Sequence, residues 1–240
     1  MLDQVRNLIR RLGVEITRFP PPTSMAWMLD RLITRRRIER VIDVGAHEGG
    51  FMHLLRDLVR FDGDAISFEP SSASHAKLIA AFAADSHWTC HQMALGATSG
   101  TLELNVFSST DFNSFLRPNQ YGADRFGGLP QLSTESVEVR RLDEILESGP
   151  QTLLKIDTQG FDLEVLAGSN GVLPSVEAVL LEVPVRQIYD GAPGISEIIE
   201  RLSDLGYLLS AAVPVSRDAD GLTVIEFDGL FIRPESPARP

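Results

Sequence analysis

Val41-Ile42-Asp43-Val44-Gly45-Ala46-His47-Glu48-Gly49-Gly50 runs from apolar residues through an acid into a small-residue turn. An apolar-periodic segment from Phe51 to Val59 follows it. Together they predict a strand, a tight loop and a helix, the arrangement by which an open α/β sheet grips a nucleotide-like ligand. A second apolar run, Ile66-Ser67-Phe68-Glu69-Pro70, also ends in an acid. Outward from these two anchors, strand and helix patterns alternate, which argues for a largely parallel sheet with helices on both faces. Strands are expected at 41–44, 65–68, 88–92, 152–156 and 178–183, and helices at 50–60, 72–84, 161–167 and 195–205. Met93-Ala94-Leu95-Gly96 reads as a turn, and 101–107 and 136–140 as two half-exposed antiparallel strands. The segments 207–213 and 222–232 read as an antiparallel hairpin at the sheet edge.

Residues 1–38 form a helical extension before a domain spanning 39–233. Its first helix, over 1–19, has Leu2, Val5, Leu8, Ile9, Leu12 and Ile16 at helical spacing, and Pro20-Pro21-Pro22 stops it. A second helix starts with Thr23 or Ser24 as N-cap and runs to about Arg37. These helices cover the sheet, or they present a basic face to an anionic membrane or a second subunit; the sequence leaves both open. The long stretch 108–135 has no clear period and is expected to be a loop, with a substrate lid as its functional reading. Residues 234–240 are a proline-rich tail expected to be disordered.

At 240 residues, 43% apolar, the chain has room for one sizeable core. Cys90 is the single cysteine, so neither an intramolecular disulfide nor a cysteine-based zinc site can form. With no run of 18 apolar residues and no apolar signal core, a cytoplasmic location is expected. The net charge is −11. Residues 1–40 hold nine Arg against four acids, a balance of +5, so the remainder carries −16. So acidic a body repels a phosphate backbone, and nucleic acid is not an expected partner. There is no nucleophile elbow, P-loop or His-Glu-x-x-His pattern, hence no support for acyl transfer, ATP hydrolysis or zincin chemistry.

A NAD fingerprint would place a glycine where His47 stands, so that backbone could approach a pyrophosphate. The ring there favours a ligand without phosphates, and S-adenosylmethionine is the common one in such sheets. Glu69 is placed to accept hydrogen bonds from the two ribose hydroxyls, and Asp43 to orient the loop or hold the ligand's ammonium group. Lys155, inside an apolar strand, is expected to snorkel or pair. His87 and His91 are expected to be structural.

Ile42-Asp43-Val44-Gly45-Ala46-His47-Glu48-Gly49, Phe68-Glu69-Pro70, Leu154-Lys155-Ile156-Asp157-Thr158-Gln159-Gly160 and Leu181-Glu182-Val183 resemble, in order and spacing, the FkbM family of methyltransferases. The resemblance covers roughly residues 40–210. It implies the class I methyltransferase fold, Rossmann-like, with strand order 3-2-1-4-5-7-6. It also implies S-adenosylmethionine as cofactor and a hydroxyl on a sugar, glycan or natural product as acceptor. The cofactor would meet Asp43, Gly45, Ala46, His47, Gly49, Glu69, Pro70 and Met93. Three positions depart from the family: His47 replaces the usual asparagine, and Gln159 and Asp162 replace glutamates. Gln159 removes one candidate base or metal ligand.

A neutral alcohol is a weak nucleophile until its proton leaves, so such an enzyme wants a base or a metal ion. Asp157 and Glu182, at the ends of adjacent strands, are the candidates, acting as general base or through a bound Mg²⁺. Asn113, Ser114 and Tyr189 are the candidate acceptor contacts. The alternative is a non-catalytic domain that keeps the fold and binds a ligand or partner.

Overall fold

The structure, a computed structural model, describes Gly13 and residues 19–125, 127–128 and 130–234. Nearly all of the helix expected over 1–19, Phe126 and the tail beyond 234 lie outside the described residues.

Helix α1 (Met25–Arg36) starts where Ser24, its N-cap, accepts the Trp27 N–H at 3.3 Å. It ends at Arg37 in a left-handed conformation. Strand β1 (Arg40–Val44) is buried along its whole length. The expected helix after it is a single α turn, α2 (Gly50–His53), continued as a π-helical segment Leu54–Val59. Then come β2 (Asp64–Phe68), α3 (Ser72–Phe82) and β3 (Trp88–His91). After β4 (Ala94–Leu95) and β5 (Gly100–Phe107), a 3-10 turn (Thr110–Phe112) and α4 (Gln120–Arg125) lead to β6 (Gln131–Arg140). Short α5 (Leu142–Ile145), β7 (Thr152–Ile156), α6 (Asp162–Ala167) and β8 (Val176–Pro184) follow. The chain closes with α7 (Ile195–Asp204), β9 (Leu208–Arg217) and β10 (Val224–Ile232).

Seven strands form the main sheet in the order β3-β2-β1-β7-β8-β10-β9. The first five are parallel, and β10 is antiparallel to both β8 and β9. The crossing from β1 to β7 is the switch point, where the ends of the strands open a crevice. Alternation along β1 explains the layers. Ile42 and Val44 face α6 and α7 in one core; Val41 faces α1, the α2 segment and α3 in the other. On α7, Ile198 and Leu202 are fully buried one turn apart, each worth about 1.5–3 kcal/mol of burial. Helix α1 puts Met25, Ala26, Leu29 and Leu32 into the second core, so it covers the sheet as an integral part of it.

Two expectations need correction. Ala94–Leu95 is not a bare turn: it pairs in parallel with Val139–Arg140, and with β5 and β6 it makes a separate three-stranded sheet. The stretch 108–135 is not one structureless loop. Helix α4 is only six residues, too short to show a period, and Asn119 Oδ1 accepts the Gly122 N–H at its start. The first half of β6 is mostly exposed, so nothing there imposes alternation.

Candidate active site

A cavity of about 640 Å³ opens at the carboxyl ends of β1, β2 and β7, within the size range of ligand sites. The loop after β1 forms its floor. Gly45 has φ +74, and a Cβ there would strike the carbonyl oxygen of Asp157, so only glycine lets β1 and β7 approach this closely. His47 is also left-handed, at φ 48. Its N–H donates to Glu69 Oε2 at 2.8 Å, and the Ser71 N–H donates to Oε1 at 2.9 Å. The Glu69 carboxylate is 6% exposed. Burial pushes its pKa up to about 7, although the Ser71 and His47 amides oppose the shift. Each oxygen keeps a further lone pair beyond these two bonds.

Gly45, Ala46, His47, Glu69, Pro70 and Met93 all line this cavity. Asp43 and Gly49 do not. Asp43 is fully buried behind the wall, with Oδ1 3.0 Å from the Lys155 ammonium. Lys155 also donates to the Gly45 carbonyl at 3.0 Å and lies 3.5 Å from Asp157 Oδ2. Burial by itself would lower the Lys155 pKa, but Asp43, Asp157 and Glu182 outweigh it and raise the pKa. Asp43 therefore acts on the loop through Lys155. Gly49 serves packing: a Cβ there would meet Phe82 at 2.5 Å and Leu78 at 2.9 Å.

His47 carries its side chain across the mouth. Its Nε2 is 2.8 Å from Thr110 Oγ1, and its Nδ1 is 3.3 Å from Asp111 Oδ1. Both partners belong to the loop after β5, which lines the cavity through Asn113. Asn113 Oδ1 is used by the Phe107 N–H at 3.0 Å, while its Nδ2 is buried without a partner. Ser114 also lines the cavity, yet its hydroxyl donates to the Gln159 carbonyl at 2.7 Å and accepts the Leu116 N–H at 3.0 Å. Ser114 is thus a loop strap and not an open acceptor contact. Tyr189 is 3% exposed and lies in a small adjoining pocket, with its hydroxyl 3.1 Å from the Phe112 carbonyl and 3.0 Å from Gln159 Oε1. It supports the wall from behind.

Asp157 and Glu182 do converge on one end of the cavity. Gln159 lies between them, its Nε2 3.0 Å from Asp157 Oδ1 and 3.0 Å from Glu182 Oε2. Burial first, and then the charges of Asp157, Glu226 and Asp228, raise the Glu182 pKa well above the ordinary carboxylate value. Glu226 and Asp228 line the same end, and Asp228 stands directly across from Glu182 in the β8–β10 register. Burial pushes Asp228 up to about 6. These two acids were missed in sequence, although Ile225-Glu226-Phe227-Asp228 alternates in a way that puts both acids on one face. Arg186 does not pair with Asp157 or Glu182: it stacks over Tyr121 at 3.4 Å and lies 3.7 Å from Asp218. His91 stacks on Phe68, and His87 pairs with Asp64 at 3.1 Å.

The Mg²⁺ expectation does not fit this donor set. An N–H donor, not an oxygen, fills the space between the two carboxylates. Among the described residues, no group of three or more His, Cys, Asp or Glu could hold a metal ion. Nor is any helix among them long and apolar enough to cross a membrane.

The strand order, with an acid closing β2 beside a glycine loop after β1, defines a class I methyltransferase. The chain belongs to the FkbM methyltransferase family, whose Methyltransferase FkbM domain matches residues 43–209. It is similar to the crystal structure of methyltransferase FkbM from Methylobacillus flagellatus KT, at 14% identity and a TM-score of 0.53. That match covers 81% of this chain and 43% of the other, so this chain spans less than half of its relative. It is also similar, at 10% identity and a TM-score of 0.47, to magnesium protoporphyrin IX methyltransferase from Synechocystis PCC 6803 with bound SAM; the match covers 97% of this chain and 96% of the other. None of the curated proteins matches the chain in sequence.

Proposed function

We propose that the chain is an S-adenosylmethionine-dependent O-methyltransferase acting on a hydroxyl of a small molecule, sugar, glycan or natural product. The observation that carries this reading is that Glu69 and the Asp157–Glu182 pair line one cavity from opposite sides of the switch point. The chain's residues suit the cofactor: Glu69 offers a carboxylate to ribose hydroxyls, Gly45 and Ala46 leave room above the loop, and Met93 adds an apolar wall. Bound there, the cofactor supplies an electrophilic methyl group to an acceptor oxygen aligned with it.

Everything else falls to the protein. Asp157, its side chain 37% exposed and close to the Lys155 ammonium, accepts the proton of the acceptor hydroxyl. Glu182, whose pKa burial raises, fixes the acceptor through a hydrogen bond. Glu226 and Asp228 receive further hydroxyls of a polyhydroxylated acceptor, and Phe112 and Phe115 offer it an apolar wall. An acceptor so recognised is a metabolite or glycan and not a nucleic acid, because the acidic end repels phosphate. A cytoplasmic setting, where the cofactor is made, fits the lone Cys90.

The test is turnover with labelled methyl donor over a panel of hydroxylated acceptors. Asp157→Asn should lower kcat/KM by about 10²–10⁴-fold while S-adenosylhomocysteine affinity stays at the wild-type value. Near-full turnover by that variant would sink the catalytic assignment.

A further inference from the structure

Gln159 has φ 53, a left-handed conformation that is uncommon outside glycine, and Gly160 follows at φ +95. The side chain shows what holds it there. Its amide has two N–H groups and two facing acceptors, Asp157 Oδ1 and Glu182 Oε2, each 3.0 Å from Nε2. Its Oε1 accepts from the Tyr189 hydroxyl at 3.0 Å, and its main-chain carbonyl accepts from Ser114 Oγ at 2.7 Å. The orientation is fixed by chemistry: turning the amide over would aim a carbonyl oxygen at two carboxylates.

The surroundings explain why a neutral donor is needed. Around the Gln159 amide stand Asp157 just past the end of β7, Lys155 on β7, Glu182 on β8, and Glu226 and Asp228 on β10. Asp162 lies on α6, held by the Thr158 hydroxyl and amide, and Tyr189 stands behind. The ammonium of Lys155 is drawn towards Asp43 and the Gly45 carbonyl, each at 3.0 Å, which leaves it 3.5 Å from Asp157. Two carboxylates that converge on one amide nitrogen, with the nearest cation shared among Asp43, the Gly45 carbonyl and Asp157, need donors between them.

We propose that Gln159 is a positioning residue that bridges Asp157 and Glu182 in the place a divalent cation would occupy. The acidic end of the cavity is thereby set without a metal and tied, through Tyr189 and Ser114, to the loop over its mouth. Its consequence for acceptor chemistry rests on the function proposed above; the bridge and its exclusion of a cation do not.

Two measurements on the full chain test this, and neither reads methyl transfer. The first is calorimetric titration with MnCl₂. Wild type should take up no Mn²⁺ at Asp157, whereas Gln159→Glu, which puts a third carboxylate in the bridge, should gain one site that is lost again when Asp157→Asn is added. Uptake by wild type that Asp157→Asn abolishes, or a folded Gln159→Glu chain with no new site, overturns the proposal. The second compares the thermal midpoint lost on Gln159→Leu in wild type with that lost on the same change in an Asp157→Asn chain. Without the two N–H donors the carboxylates repel, so the loss should shrink once Asp157 is made neutral. An equal loss in both, which a mere packing role would give, overturns it as well. Failure of either leaves the proposed function standing, and a wild type without turnover leaves the bridge standing.

Discussion

Under the proposed function, cofactor binding should follow the ionisation of Glu69. Its carboxyl is 6% exposed and its pKa stands at about 7, against an ordinary 4.5. That shift corresponds to about 3 kcal/mol between folded and unfolded chain. The pKa is raised, so this stability is fully present below about pH 4.5 and is lost as pH rises through about 7. A ribose binds best to the ionised form, which accepts both hydroxyl hydrogen bonds. At pH 6 roughly a tenth of the chains are ionised at Glu69 and at pH 8 roughly nine tenths, so the Kd for S-adenosylhomocysteine should fall about tenfold between them. The assay is titration calorimetry in two buffers of different ionisation enthalpy, which counts released protons. About one proton per ligand is expected near pH 6. Glu69→Gln keeps the shape and removes the titration; its affinity should be flat with pH and weaker by about 10–100-fold, a loss of about 1.5–3 kcal/mol. A wild-type Kd that does not move with pH, in a chain where Glu69→Gln binds as well, would refute the reasoning.

Three further outcomes follow from the geometry. Lys155→Met leaves the fully buried Asp43 without its 3.0 Å partner and should cost about 3–5 kcal/mol in denaturant unfolding. Adding Asp43→Asn should recover part of that loss, and no recovery would contradict the pairing. His47→Ala removes the contacts to Thr110 and Asp111, worth about 0.5–1.5 kcal/mol; faster hydrogen exchange over residues 108–114 is expected, and unchanged exchange would show that His47 does not hold the loop. Gly45→Ala meets the Asp157 carbonyl at φ +74. It should lose at least about 1–2 kcal/mol from backbone conformation and more from the overlap, so an unshifted Tm would rule out the close approach.

Much of the frame could be read from residues because β1 and β7 are buried on both faces and leave unbroken apolar runs. Asp43 and Glu69 were legible as strand-end acids, but only Glu69 reaches the cavity. Asp43 points back to Lys155, its direct neighbour in the β1–β7 register, and pairing across strands leaves no trace in linear order. Tyr189 looked like a pocket residue by type; its hydroxyl is taken by Gln159 and the Phe112 carbonyl. Gln159 read as the loss of an acid, whereas its amide is the donor that lets two other acids stand together. Glu226 and Asp228 reach the site because β10 inserts between β8 and β9, a long-range pairing with no local signal.

The small sheet divides the labour of the cavity. Its strands β4, β5 and β6 have an apolar core of their own, built on Ala94, Leu104, Val137 and Val139. They carry the loop from Thr110 to Phe115, which lines the cavity. None of these strands joins the main sheet, whose register fixes the Glu69 side. Insertions or exchanges in the loop therefore leave the pairing of β1, β2 and β7 untouched. One wall of the cavity can change in length and composition without disturbing the strand register that builds the other.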